Sequence, residues 1–379
     1  MSPFLPPEIL GLIFDNFRDE RTTLGVCCLV SKSWTPSARR HLFFQINLSQ
    51  KLIELWIKAF PDPSNTPAHH TRVLSLSGSA AVNTAGTNVL AWVRAFCNVV
   101  CLRIAAVRWT PGGVSLVPFH GFFPALTSFS VDHSYIPPSE ILGLICSLPL
   151  LKHLDLRPLP IKDTTVTYER KTPSTLPELT GILHLGGKSV RSVACGLSSL
   201  PNRLRFTKIV LMCHVYEAHL VSDLVLKCCD TLESLSIGYF STFSASMFRS
   251  AYAVGRYLTA AHCIVPATQR APPPIDFSKA TKLQDLEIKL HAPSVQWIID
   301  TLLTIENLRR ISIRSQHPFA DPVVVAVHQE WRDLDRLLVR LWTSYSIRPE
   351  ISLMNWGTYI VRILLPELAT MGVFDENVS

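Results

Sequence analysis

Apolar residues along this chain change their period near residue 47. Before that point they recur at three- and four-residue intervals. After it they come in short groups of the form apolar-x-x-apolar-x-apolar. The first period is that of a helix face, the second that of a strand with two inward side chains. Pro6 and Pro7 suit a helix start, where their missing N–H donors cost nothing. Ile9, Leu10, Ile13, Phe14 and Phe17 then form an apolar stripe. Leu24, Val26, Cys27, Cys28 and Leu29 predict a second short helix. The run "VSKSWTPSARRHLF" predicts a third, with Ser31 or Ser33 as its cap and Trp34 as its large anchor. Three short helices enclose only a small core. The surplus of Leu, Ile, Phe and Trp predicts a module whose outer face belongs to a partner protein.

Self-similarity organises the rest. "FPALTSFSV" (Phe123 to Val131) and "LPLLKHLDL" (Leu148 to Leu156) share one frame, and "LPELTGILHL" (Leu176 to Leu185) repeats it with one residue inserted. The reduced core recurs at Val99/Leu102/Ile104, Phe206/Ile209/Leu211, Leu232/Leu235/Ile237, Leu283/Leu286/Ile288 and Leu308/Ile311/Ile313. Degenerate copies hold Leu74 with Leu76 and Ile351 with Leu353. Intervals run from 25 to 29 residues, with one of 51. The long interval holds a helix-like run, "SASMFRSAYAVGRYL", and then "CIVPATQRAPPPIDF", whose prolines exclude a helix. It reads as one oversized repeat with an insertion over 239–282. The stretch Arg157 to Thr175 reads as a smaller insertion of the same sort.

Between the strand motifs lie helical patterns: "PPSEILGLICSL" starting at Ser139, "EAHLVSDLVLKCC", and "APSVQWIIDTLLTI" with Ser294 as its cap. Each unit is thus a strand, a turn and a helix. One unit cannot bury both faces, so nine or ten must stack into a curved solenoid. The expected fold class is α/β: a helical module over 1–47, a linker leading into the repeats over 48–70, a solenoid over 71–360, and a C-terminal cap and tail over 361–379.

Composition narrows the setting. Apolar residues make up 47% of the 379 and charged residues 17%, so a continuous core is expected rather than disorder. Twenty-seven prolines against sixteen glycines suit many short, punctuated elements. The net charge of +7 is spread along the chain without a basic block, which argues against nucleic acid as partner. Ten cysteines include no Cys-x-x-Cys pair, so free, buried thiols in a reducing compartment are expected, Cys97 and Cys101 among them as core. The opening residues lack a basic flank and Glu8 interrupts them, unlike a secretory signal. Arg94 and Arg103 break the most apolar run, so no membrane span is expected. The cytoplasm, the nucleus or both is the expected location.

Catalytic chemistry finds no foothold. "LGGKSV" resembles the end of a phosphate-binding loop, yet Ile182 stands where that loop needs its first glycine. His69, His70, His153, His184 and the His262-Cys263 pair lack metal-ligand spacing. No Gly-x-Ser-x-Gly elbow occurs, and no cysteine has a nucleophile motif around it. The expectation is a chain that is not an enzyme and needs no cofactor or metal.

The residues "LPPEILGLIF" and "CLVSKSW" go further. Leu5-Pro6 and Glu8-Ile9-Leu10 match the opening of an F-box, Ile13-Phe14 the middle of its first helix, and Cys28 to Trp34 its ending. Only the spacer "RDERTT" departs, lacking the proline often found there. The stretch over about 70–360 resembles leucine-rich repeats, although the asparagine expected after each strand is mostly missing. An F-box followed by uneven, proline-rich repeats is similar to fungal members of the F-box leucine-rich-repeat family. The resemblance implies a substrate-recognition subunit of an SCF-type (cullin-RING) ubiquitin ligase. On that reading Leu5, Pro6, Ile9, Leu10, Ile13, Phe14, Leu24, Cys28, Val30 and Trp34 dock onto a Skp-type adaptor and, through it, a cullin.

Outward strand positions would then line the concave face and bind a protein substrate. They are Arg103, Asp132, His153, Asp155, Arg157, His184, Lys208, Asp285, Glu287, Lys289, Arg310 and Arg314. Their mixed charge suits a protein rather than a polyanion. The alternative from another class is a non-catalytic repeat scaffold acting outside ubiquitination. A third, RNA binding, would show steep salt dependence.

Overall fold

Short β-branched and leucine-rich runs with two inward apolar positions dictate the architecture. The computed structural model describes residues 5–78, 92–107, 119, 121–158, 178–186, 190–200, 204–214, 218–240, 275–290, 295–305, 307–315, 329–344, 348–354 and 358–373. Among them the chain is α/β, with parallel strands alternating with helices. It divides into two compact units, 1–179 and 180–379, a boundary the repeat pattern did not announce.

The first unit opens with three helices: α1 (Pro7–Asp15), α2 (Arg21–Val30) and α3 (Thr35–Leu42). Pro6 is the N-cap of α1 and Pro7 its first residue, as expected. The serines do not cap α3. Trp34 takes that position, and Ser31 and Ser33 instead hydrogen-bond each other (Oγ–Oγ 2.8 Å). The sheet begins earlier than the repeat pattern suggested. Strand β1 (Gln45–Ser49) pairs in parallel with β2 (Val73–Ser77), and the stretch read as a linker contains α4 (Gln50–Ala59). Its aromatics seal the start of the sheet: Trp56 lies 5.9 Å from Phe43 and 5.7 Å from Phe96, centroid to centroid. β3 (Cys101–Ala105), β4 (Ser128–Asp132) and β5 (His153–Arg157) follow in chain order, all parallel. Helix α5 (Pro138–Cys146) connects β4 to β5.

The second unit continues the scheme with β6 (Thr180–Leu185), β7 (Arg205–His214), β8 (Ser234–Phe240), β9 (Asp285–Leu290), β10 (Arg310–Ser315) and β11 (Glu350–Met354). Helices α6 (Val190–Ser199), α7 (Ala218–Cys228), α8 (Val295–Leu302) and α9 (Gln329–Ser344) lie between them, and α10 (Thr358–Leu364) and α11 (Pro366–Thr370) close the unit. β8 pairs directly with β9 although 51 residues separate their equivalent positions Ser234 and Asp285. The long interval is therefore one strand-to-strand step, as the repeat reading has it. Its helix-like run and prolines, residues 159–175 of the insertion after Arg157, Ser294, and Gly187, Lys188 and Ser189 of "LGGKSV" lie outside the described residues.

Each motif places its apolar residues where the period says. Leu102, Ile104, Phe129, Val131, Leu154, Leu156, Leu235, Ile237, Leu286, Ile288, Ile311 and Ile313 are buried, and so are the leading positions Val99, Leu126, Leu151, Leu232, Leu283 and Leu308. A recurring backbone contact ties one repeat to the next within each unit. At the foot of a strand, two consecutive N–H groups donate to a single carbonyl of the preceding repeat. Val100 and Cys101 bond Arg72, Thr127 and Ser128 bond Val100, and Lys152 and His153 bond Thr127, all at 2.9–3.0 Å. Gln284 and Asp285 bond Glu233 in the same way, and Arg309 and Arg310 bond Gln284, at 2.8–3.0 Å. Threonine hydroxyls add a second link between repeats: Thr71 to the Phe43 carbonyl (3.0 Å), Thr207 to Gly181 (3.1 Å) and Thr231 to Phe206 (3.2 Å). The inserted residue of "LPELTGILHL" coincides with a register shift between Gly181 and Ile182, where Gly181 takes φ +86°.

Candidate functional site

Two surfaces carry the residues that the sequence singled out. The first is the helical module. Helix α1 is apolar on both sides, and only one side has a use inside the module. Leu10 and Phe14 point inward with Leu24 of α2 and Ala38 of α3, and Phe17, Cys27, Cys28, Trp34 and Leu42 pack against them. Trp34 meets Phe14 edge-on at 5.9 Å. The Phe14 ring also touches His41, which lies 3.4 Å from the Asp15 carboxylate. Burial holds the His41 pKa below its ordinary value, against the pull of Asp15. Burial likewise pushes the Cys28 thiol up, away from the reactive thiolate range.

The other sides of α1 and α2 face solvent. Leu5, Ile9, Leu12 and Ile13 form one exposed stripe, and Val26, Leu29 and Val30 another. Leu12, Leu29 and Val30 are 63%, 87% and 61% exposed, values that large aliphatic side chains seldom reach on a finished surface. Of the residues assigned to the adaptor, Leu5, Pro6, Ile9, Ile13 and Val30 are exposed, and Cys28 and Trp34 are half-buried. Leu10, Phe14 and Leu24 are instead core, so they hold the helices in place and cannot touch a partner. Sequence reasoning left out Leu12, Val26 and Leu29. Their signal was the i, i+3, i+4 spacing from Ile9 and from Val26 itself. It also missed Leu52 and Leu55, exposed on α4, because that stretch read as a linker.

The second surface is the strand face opposite the buried apolar residues. In the first unit the parallel register sets Asn47, Ser75, Arg103, Ser130 and Asp155 in one cross-strand row, and Ser49, Ser77, Ala105, Asp132 and Arg157 in the next. Asp155 and Arg157 form a two-bond fork within one strand, with Nε to Oδ1 and Nη2 to Oδ2 both at 3.0 Å. His153 and Arg103 are exposed. Cys101 is half-buried on this same outward face and Cys97 is exposed, so neither is the core thiol expected of it. Of the eight cysteines whose side chains are described, all free, Cys228 alone is buried, and burial pushes its thiol up to about 12.

In the second unit His184 is half-buried on β6 and Lys208 exposed on β7. One row there reads Lys208, Ser234, Asp285, Arg310, Glu350, and the next Val210, Ser236, Glu287, Ser312, Ser352. Arg310 pairs with Glu350 (3.0 Å), which raises the guanidinium pKa. Glu287 collects more partners: the Ser236 hydroxyl donates to Oε2 at 2.7 Å, Lys289 Nζ lies 3.3 Å from Oε2, and Arg314 Nε 3.6 Å from Oε1.

Among the described residues no group of three His, Cys, Asp or Glu side chains could hold a metal ion, and no helix is long and apolar enough to cross a membrane. The chain matches no family in a scan of family models, and no curated protein.

Proposed function

We propose that this chain is the substrate-recognition subunit of an SCF-type ubiquitin ligase. The α1–α3 module docks onto a Skp-type adaptor and the strand-bearing units hold a protein substrate. The observation that carries the reading is the two-sided apolarity of α1 and α2. Their inner residues fill a core, and among the described residues nothing covers their outer residues, Ile9, Leu12, Ile13, Val26, Leu29 and Val30. Burying one such side chain is worth about 1.5–3 kcal/mol, so leaving six exposed makes sense only if a partner covers them. The module's match to the F-box pattern names that partner. Within each unit the strands pair in chain order and carry an outward, largely polar face, which supports the repeat reading.

The mechanism is positional. No bond is made or broken on this chain. It raises the effective concentration of substrate lysines near a ubiquitin-charged enzyme carried by the rest of the ligase. The test is co-purification of the full chain with a Skp-type adaptor and a cullin from cells expressing all three. Wild type is expected to retain both, and an Ile9→Asp/Leu29→Asp chain to lose both while keeping the wild-type circular dichroism spectrum. Equal recovery with both chains, or recovery with neither, overturns the reading.

A further inference from the structure

The charges on the strand face of the second unit are unevenly arranged. Asp285, Arg310 and Glu350 share one cross-strand row, and the Arg310–Glu350 pair is largely exposed. Two rows further along, Lys289 and Arg314 stand side by side in register and both lean back toward the carboxylate of Glu287. The side chains of Lys289, Glu287 and Arg314 keep only 19%, 27% and 34% of their exposure, so their charges are partly desolvated and interact more strongly than surface charges do. Next to Glu287 in its row is Ser312, 8% exposed, whose buried hydroxyl has no hydrogen-bond partner among the described residues. A buried hydroxyl without an acceptor is costly.

We propose that Lys289, Arg314 and Ser312 form an anion-accepting subsite for an acidic group, a carboxylate or a phosphate, carried on an extended peptide. Glu287 holds the two cations in place while the site is empty. An incoming acidic group competes with Glu287 for Lys289 and Arg314 and offers the Ser312 hydroxyl the acceptor it lacks. The outward strand face presents the half-buried Ser234 and Ser352 in the neighbouring rows, which suits hydrogen bonding along an extended chain. The inference deepens the reading above by giving the chemistry of the substrate segment, and it rests on that reading for the identity of this face as the substrate surface.

The test uses the full chain and two fluorescent probes read by anisotropy: a hexaglutamate peptide, and a hexa-alanine peptide with one central phosphoserine. Wild type is expected to bind at least one, and which one identifies the source of the acidic group. Lys289→Ala and Arg314→Ala should each weaken that binding by about tenfold, the effect of losing one charge-assisted hydrogen bond. Glu287→Gln should tighten it several-fold by removing the competing carboxylate. Arg332→Ala, which removes an equal charge from the exposed side of α9, should leave it within about twofold. Each variant is first matched to wild type in thermal midpoint. Binding of neither probe, unchanged binding in the Lys289 and Arg314 variants, an equal loss in Arg332→Ala, or weaker binding by Glu287→Gln would overturn the subsite. Adaptor capture is measured on the same proteins. Its loss with peptide binding intact leaves the subsite standing and overturns the ligase reading, and the reverse result overturns the subsite alone.

Discussion

Leu24 and Leu29 sit five residues apart in one helix and have opposite duties. Leu24 is wholly buried in the module core, and Leu29 is 87% exposed. Leu24→Ala should therefore cost about 2–5 kcal/mol of stability, measured by denaturant titration. Leu29→Ala should change it by less than about 0.5 kcal/mol and act on partner binding instead. Thr301 gives a contrasting case. It is fully buried on α8, and its side-chain hydroxyl has no partner among the described residues. Valine keeps the shape without the orphaned group, so Thr301→Val should stabilise the protein by about 1 kcal/mol. A pH effect belongs to His41. Burial lowers its pKa in the folded state, so the native ring stays neutral while the unfolded chain takes up a proton below about pH 6.5. Its contribution is full above that value and is lost as the pH falls toward the lowered folded pKa. His70 is shifted the same way, by burial first and by His69, Arg40 and Arg39 after it. The thermal midpoint should fall between about pH 7.5 and pH 5, and less so in His41→Gln. An equal fall in the variant would remove His41 from the account.

At the scale of elements, period-2 and period-3.6 patterning located the strands and most helices. An inward pair flanked by polar residues cannot shift register without exposing both members. What stayed hidden has physical reasons. β1 contains the same inward pair, Ile46 and Leu48, but lies against the helical run of α3, so it read as the end of the module. α4 packs Ile53, Trp56 and Ile57 on one face and leaves Leu52 and Leu55 outside, a pattern that did not resemble its neighbours. A cap at the C-terminal end was expected over 361–379, but not the polar contact across 32 residues that helps to hold it. Asp335, buried on α9, accepts the backbone N–H groups of Glu367 (2.8 Å) and Leu368 (2.9 Å) at the start of α11. Burial pushes its carboxyl pKa up even against those two bonds. Asp335→Ala leaves both donors without their acceptor and should cost about 2–4 kcal/mol, with hydrogen exchange at residues 366–370 accelerating first.

At the scale of the whole molecule, the repeat period told more than any single residue. It foretold that the long interval between β8 and β9 is a single step of the sheet, because the apolar frame resumes in phase at Leu283. The division at residue 179 was not legible, since the strand frame simply continues through it with one inserted residue. Of the candidate sites, sequence spacing found the module but mixed its inner and outer residues. Period alone says which residues share a face, and only packing says which face is covered. The central claim is that the outer face of α1 and α2 is a docking surface. The direct measurement is the affinity of purified Skp-type adaptor for the full chain by calorimetry, with Ile9→Ala, Leu12→Ala and Leu29→Ala beside Arg314→Ala. The account predicts saturable binding by wild type, a loss of about tenfold or more in at least one helix-face variant, and no change in Arg314→Ala. Absence of binding by wild type, or equal affinity across all four variants, would contradict it.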